Sequence, residues 1–317
     1  MKYRITHTTT YNYSQSVGLC QNEARLQPRD FWRQRCESSI FDITPTPVDF
    51  REFIDFFGNR VAYFAIQQPH RQLVVTVISE VTLFPRPDIT GLLKQLSWEQ
   101  VRGMLQEMPN HGSKPYQNQS QTQSEGQSQN QDSGQETLEA RYYILDSPMI
   151  AAQCELADYA RPSFQPDRPL LDVVRDLMQR IYTDFTYDPA FTTIATPLSE
   201  VLAHRRGVCQ DFAHLAIGCL RSFGLAARYV SGYMETLPAQ GQQRLVGADA
   251  SHAWFAVYLP GTGWVEFDPT NNKLPFDQHI TLAWGRDFAD VTPLKGIAFG
   301  GGQHTLSVSV DVLRLEQ

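Results

Sequence analysis

The sequence predicts an α+β protein, with an antiparallel β-sandwich first and a region of helices followed by an antiparallel sheet second. Two patterns carry that expectation. Residues 1–84 hold short alternating or β-branched runs separated by turn signals, with no helical spacing between them. From residue 148 onward apolar residues recur at helical spacing, and strand patterns return only after residue 227.

In the first region Tyr3, Ile5, His7 and Thr9 alternate with polar neighbours, as do the residues from Ser39 to Ile43. Asp55-Phe56-Phe57-Gly58-Asn59-Arg60-Val61 reads as a hairpin, with Gly58-Asn59 supplying the positive φ angles of a two-residue turn. The β-branched run Leu73-Val74-Val75-Thr76-Val77-Ile78 suits a central strand. Pro85 and Pro87 close this domain, which is placed at 1–88 and given a structural or substrate-positioning role. Residues 89–140 form a linker. Within it, 113–136 are dominated by Gln, Ser and Asn, too polar to bury enough surface to offset chain entropy, so a disordered insertion is expected there.

The remaining 141–317 is expected to be a core domain ending in a strand. Pro148 opens a helix through Ile150, Ala151, Cys154, Leu156 and Tyr159. Pro169 opens a second, whose stripe is Leu170, Leu171, Val173, Val174, Leu177, Met178 and Ile181. Thr196-Pro197 starts a third, which Gly207 ends, with His204-Arg205-Arg206 at its C-terminus. A fourth begins at Cys209, continues through Leu215, Ala216, Ile217, Leu220 and Phe223, and stops at Gly224 as a C′ glycine. Strands follow at 227–233, 253–259 and 264–267. At the end Leu306, Val308, Val310 and Val312 alternate with Ser307, Ser309 and Asp311 as a half-buried strand. The preceding Gly300-Gly301-Gly302 is a corner, not a phosphate loop, because no helix follows it.

With 317 residues the chain can build two cores, and 42% hydrophobic and 19% charged residues describe an ordinary globular composition. A net charge of −7 argues against a nucleic-acid partner. No apolar run reaches the roughly 18–20 residues of a membrane span, and the N-terminus lacks the apolar stretch of a secretory signal. Cys20, Cys36, Cys154, Cys209 and Cys219 form an odd set without repeated spacing, so no disulfide framework and a cytoplasmic location are expected.

Cys209 is set apart because it follows a glycine step and precedes the apolar periodicity, at the first turn of its helix. Unpaired N–H groups and the positive end of the helix dipole favour an anion there, and hence thiolate. The other four cysteines read as small hydrophobes. His252, in Ser251-His252-Ala253-Trp254, is either a structural strand residue or a base at the edge of a buried sheet. Asp268, before Pro269, either starts a turn or orients an imidazole. Together Cys209, His252 and Asp268 supply nucleophile, base and carboxylate for thiol acyl transfer. A tight hairpin closing on Gly261-Thr262 sets Phe255 opposite Asp268, and a wider turn shifts that register. His204, Cys209, His214 and Cys219 fall every five residues, but five residues turn about 500° on a helix, so they diverge and no metal site is expected.

The stretches Gly207–His214, Gly224–Tyr233, Ser251–Trp254 and Asp268–Asn271 closely resemble the bacterial transglutaminase-like superfamily. Gly285–Val291 resembles its cysteine-protease branch. The resemblance implies a papain-like core behind a β-rich N-terminal region. It makes Cys209 the nucleophile, His252 the base and Asp268 the orienting acid. Backbone N–H groups at the helix start would hold the oxyanion, with Tyr187 as a second donor. Trp254 and Arg286 are assigned to the substrate cleft, Arg286 alternatively to bracing the core. No cofactor and no metal are expected. The substrate is a peptide or protein amide, cleaved by water or transferred to an amine. A non-catalytic peptide-binding module is the reading from another class.

Overall fold

The computed structural model of the chain describes residues 1–85, 96–107, 135–194, 196–235 and 251–315. The Gln/Ser-rich stretch expected at 113–136 lies outside the described residues, except that 135 and 136 open a helical turn over 135–140. The first strands are β1 (Lys2–Ala24), β2 (Gln34–Thr44), β3 (Asp49–Ile54), β4 (Arg60–Ile66) and β5 (His70–Leu83). Next come α1 (Trp98–Gln106), α2 (Cys154–Ala160), α3 (Leu170–Asp184), β6 (Thr186–Tyr187), α4 (Leu198–His204), β7 (Arg206–Gly207) and α5 (Cys209–Ser222). The chain continues through β8 (Ala227–Met234), β9 (Ser251–Leu259), β10 (Gly263–Phe267), β11 (His279–Gly285), α6 (Phe288–Val291), β12 (Leu294–Gly300) and β13 (His304–Leu315). One sheet runs β2-β5-β1-β4-β3, with β12 and β13 also paired to β1, and a second runs β10-β9-β8-β11. No helix among the described residues is long and apolar enough to cross a membrane.

The fold is α+β, as the sequence predicts. Its contacts, however, group differently from the contiguous division 1–88, 89–140 and 141–317. One compact unit is Met1–Asp88 with Tyr229–Trp254 and Lys273–Gln317, and the other is Ile89–Arg228 with Phe255–Asn272. The reason is strand pairing: β12 and β13 both hydrogen-bond to β1.

In the first unit β1 serves two sets of partners. Its first half, from Lys2 to Asn12, pairs with β5 and β13, and its last residues, Cys20 to Ala24, pair with β4 and β12. The pairing with β5 shifts register between Asn12 and Val17. One core draws on both sets: Cys20 and Ala24 of β1 and Ala62, Phe64 and Ile66 of β4 pack with Leu73, Val75 and Val77 of β5. That is the packing of a sandwich. Tyr3, Ile5, His7 and Thr9 are all buried, as their alternation requires. In β13 only Val310 and Val312 are buried. Leu306 and Val308, paired with Tyr11 and Thr9, extend past the core and are exposed.

The hairpin at 55–59 forms, but not through a two-residue Gly-Asn turn. Only Gly58 has a positive φ, of 75°. Asp55 Oδ1 organises the loop, accepting from the N–H groups of Phe57 and Asn59, each at 2.9 Å. Asn59 is fully buried and acts as a substitute strand: its Oδ1 accepts from Trp284 N–H and its Nδ2 donates to Trp284 O, both at 2.9 Å. Gln34 does the same for Thr281, at 2.7 and 2.8 Å. Two side-chain amides thus satisfy backbone groups of β11, which ends its sheet.

In the second unit α3 follows Pro169 and buries all seven residues of its expected stripe. Fully burying such side chains is worth about 1.5–3 kcal/mol each, far more than a helix of this length gains from propensity. The first helix starts later than expected, at Cys154 rather than near Pro148. Ser147 and Ile150 exchange backbone hydrogen bonds at 2.9 and 3.1 Å, holding Pro148 and Met149 in a tight turn. Helix α4 is ended by Arg205, not Gly207. Arg205 takes the left-handed conformation at φ 55°, its guanidinium lying over the rings of Tyr159 and Phe185 at 4.5 and 4.9 Å. Helix α5 ends as predicted. Gly224 at φ 74° donates to Arg221 O and Leu225 to Leu220 O, a Schellman arrangement.

His7 is buried with Nε2 2.8 Å from Thr9 Oγ1 and Nδ1 3.0 Å from the Tyr233 hydroxyl, and burial pushes its pKa down to about 4. The unfolded chain therefore binds a proton that the folded chain refuses as pH falls from about 6.5 towards 4, so this contribution to stability is intact above 6.5 and lost on acidification. Urea unfolding is expected to show about 2–3 kcal/mol lost to this group between about pH 7 and pH 4.5. The slope should flatten in His7→Gln; an unchanged slope would remove His7 as its source.

Candidate active site

Cys209 is the first residue of α5, preceded by Val208 in extended backbone at φ −117° and ψ −178°. Phe212 N–H donates to Val208 O at 3.1 Å. The N–H groups of Cys209, Gln210 and Asp211 therefore have no acceptor within the helix. Cys209 is partly exposed, while Cys20 and Cys219 are buried. Burial pushes the thiols of Cys20, Cys36 and Cys219 up, away from thiolate.

Two neighbours fix the chain just before Cys209. Asp211 is buried, and its Oδ2 accepts from Val208 N–H and from Thr192 Oγ1, each at 2.8 Å. Burial pushes the Asp211 carboxyl up, and these two hydrogen bonds act in the opposite direction. Tyr187 is paired with Gly207 in the short parallel ladder of β6 and β7, and Asp188 N–H donates to Gly207 O at 2.9 Å. The ladder carries a half-exposed phenol alongside the segment that leads to Cys209. Partial burial, with the neighbouring Cys209 and Asp211, pushes that phenol up.

His252 is the second residue of β9 and is buried. Its ring centre is 5.9 Å from that of Trp254 and 5.8 Å from that of His279. Asp268 follows the last residue of β10 and is fully buried. Its Oδ1 accepts from the N–H groups of Thr270 and Asn271 at 3.0 and 3.2 Å, and its Oδ2 from Asn271 Nδ2 at 2.8 Å. The hairpin turn is one residue wider than the tight form expected. The ladder runs from Leu259↔Gly263 to Phe255↔Phe267, leaving Pro260, Gly261 and Thr262 as the turn. Gly261 and Gly263 carry its positive φ angles, 77° and 86°. In this register Phe267, the residue before Asp268, lies opposite Phe255.

Trp254 and Arg286 are each engaged by neighbouring side chains. Trp254 is fully buried, in edge contact with His279 at 5.1 Å and packed on Gly232, where an added Cβ would lie 2.5 Å from its ring. It is a core residue, held by the absence of a side chain at 232. Arg286 is held in place: its backbone N–H and Nε both donate to Asp290 Oδ2 at 2.9 Å, and its guanidinium lies 5.9 Å from the Phe57 ring.

Residues 3–82 match the model of the bacterial transglutaminase-like N-terminal region, and residues 157–269 that of the transglutaminase-like superfamily. An uncharacterized protein of Mycobacterium tuberculosis strain H37Rv is 40% identical over 99% of this chain and 93% of its own. The chain belongs to the transglutaminase-like superfamily. An uncharacterized Mycobacterium leprae protein is 30% identical, with 99% of both chains covered. A solved structure from Cytophaga hutchinsonii, described as a candidate cysteine protease, shares the fold with a TM-score of 0.69 at 19% identity, over 100% of this chain and 91% of that one. The protein-glutamine gamma-glutamyltransferase of Pseudomonas aeruginosa is 30% identical over 46% of this chain and 23% of its own.

In this transglutaminase-like chain several site residues carry roles that sequence patterns missed. Asn271, two positions after Pro269, holds the Asp268 carboxylate. The Asx-Pro-x-Asn order was visible as a turn signal, but not as a carboxylate clamp. Asp211 stands at the third helical position, where acidic residues are common, yet its partner Thr192 lies in a loop with no pattern. The evenly spaced His204, His214 and Cys219 are not gathered. His204 packs on Phe191 at 5.3 Å, His214 is buried with its pKa pushed down to about 3 by burial and Arg221, and Cys219 donates to Leu156 O. Among the described residues, His252 and His279 are imidazoles whose ring nitrogens come near enough to share an ion.

Gly207 has no positive φ but is required by packing. A Cβ there would lie 2.8 Å from Asp211 Oδ2 and 2.9 Å from Asp211 Cβ. Gly207→Ala is expected to displace the carboxylate from Val208 N–H and cost about 1–2 kcal/mol, the scale of a lost helix cap, read as a lower denaturant midpoint. A wild-type midpoint would refute the packing argument.

Proposed function

We propose that the chain catalyses thiol-dependent acyl transfer at amide bonds of a peptide or protein, with hydrolysis as the main outcome. The observation that carries this reading is the partly exposed Cys209 at the open first turn of α5. The thiolate of Cys209 attacks the amide carbonyl, forming a C–S bond. Backbone N–H groups of that first turn, with the Tyr187 hydroxyl, hold the oxyanion. His252, as imidazolium, gives its proton to the leaving nitrogen as the C–N bond breaks. Water, deprotonated by His252, then attacks the thioester and releases the acid and the thiolate. Asp268, clamped by Thr270 and Asn271, keeps the imidazole in one tautomer and stabilises its charged form. The five free cysteines fit a reducing compartment, and the proposed location is the cytoplasm.

Transfer to an amine in place of water is the second reading. It is favoured by the 30% identity shared with the Pseudomonas aeruginosa gamma-glutamyltransferase over 46% of this chain.

Iodoacetamide at mildly acidic pH should alkylate Cys209 faster than the more exposed Cys154, and His252→Ala should abolish that preference. Equal labelling of both cysteines, unaffected by His252→Ala, would instead favour a binding module. On peptide substrates Cys209→Ala should remove turnover, and Asp268→Asn should lower it by about 10²–10⁴-fold. Mass spectrometry of products with and without added primary amine separates hydrolysis from transfer.

A further inference from the structure

We infer that Asp211 is a positioning residue for the nucleophile, setting the Cys209 N–H as an oxyanion donor through Val208 and using Thr192 as its anchor. The inference rests on the acyl-transfer reading above and adds residues to it.

The geometry is that of one oxygen joining two stretches of chain. Asp211 Oδ2 receives the N–H of Val208, the residue before the nucleophile, and the hydroxyl of Thr192, from the loop that follows β6, both at 2.8 Å. That loop begins one residue after Tyr187, which is itself paired with Gly207. A single buried carboxylate therefore ties down both flanks of the turn: the backbone entering Cys209 and the segment carrying the phenol. Gly207 lets the carboxylate come this close, since any Cβ there would occupy its place.

The choice of residue supports a geometric role. Val208, the capping residue, has no side-chain acceptor to offer the first turn, and a Ser, Asp or Asn in its place would occupy one of the N–H groups at that end. Reaching back from the third helical position, Asp211 satisfies the N–H of Val208 instead. The end is fixed while the N–H groups of the first turn are left for a ligand. A carboxylate near a reacting thiolate is unfavourable by charge. Its presence here is explained by what it holds rather than by what it does to the sulfur.

The test compares two reactions of Cys209 with small probes that need no side-chain recognition. Iodoacetamide alkylates sulfur by displacement of iodide and develops no oxyanion. With p-nitrophenyl acetate the thiolate adds to the ester carbonyl, a tetrahedral oxyanion forms, and the C–O bond breaks to leave acetyl-Cys209 and p-nitrophenolate. Full-length protein is used, with Cys209→Ser as background. The ratio of acetylation to alkylation rates should fall about tenfold or more in Asp211→Asn, part of the roughly 10²–10³-fold carried by one oxyanion donor. Thr192→Val, a milder change in a surface loop, should lower the ratio less, and Thr192→Ser should restore it. If both rates fall in parallel, or neither changes, in the Thr192 and Asp211 variants, Asp211 is structural only and the inference is wrong. If wild type gives no acetylation burst above Cys209→Ser, the acyl-transfer reading itself fails and takes this inference with it.

Discussion

Three backbone N–H groups at the start of α5 have no acceptor inside the helix, and the surroundings of Cys209 are arranged so that they stay that way. Most helices fill this end with a capping side chain worth about 1 kcal/mol. Here the capping residue is Val208, which cannot do so. The missing cap is offset by the rest of the helix: every residue from Asp211 to Arg221 is buried, and the far end is closed by Gly224. Arg221 spends its guanidinium on Tyr143 O, Ser147 Oγ and Ala227 O, so even its charge is tied into the frame. A well-anchored helix can leave one end chemically open.

The same logic of side chains standing in for backbone recurs elsewhere. Asn59 and Gln34 hydrogen-bond the backbones of Trp284 and Thr281, residues of the strand that ends the β10-β9-β8-β11 order. Asn271 and two backbone N–H groups complete that of Asp268. In each case a buried polar group is matched by a donor or acceptor at normal distance, as burial demands. These amides fix orientation as well as satisfy it, because each presents donor and acceptor in one plane.

The sheet containing β1 shows how a long strand organises distant sequence. Its two halves recruit β5 and β13, then β4 and β12, so the strands within Leu294–Leu315 are held by β1. Both β12 and β13 are largely exposed along their free sides, and their stability comes from the ladder with β1 more than from core burial.

Local chemistry was enough to read much of this protein from its sequence. The stripe of α3, the alternation of Tyr3 to Thr9, the start of α5 at Cys209 and its stop at Gly224 depend on neighbours within a few residues, and all four are in place. The identity of the family was legible for the same reason, since its motifs are short and contiguous. Tertiary structure decided what depends on partners far along the chain. It set the width of the turn at 260–262. It let Arg205 take a left-handed turn because two aromatic rings received its side chain, and it buried Trp254 because Gly232 leaves room for the indole. It paired β13 with β1, and brought Thr192 to Asp211. Residue type fixes what a position can do nearby, whereas register and packing, which no local pattern encodes, fix what it meets.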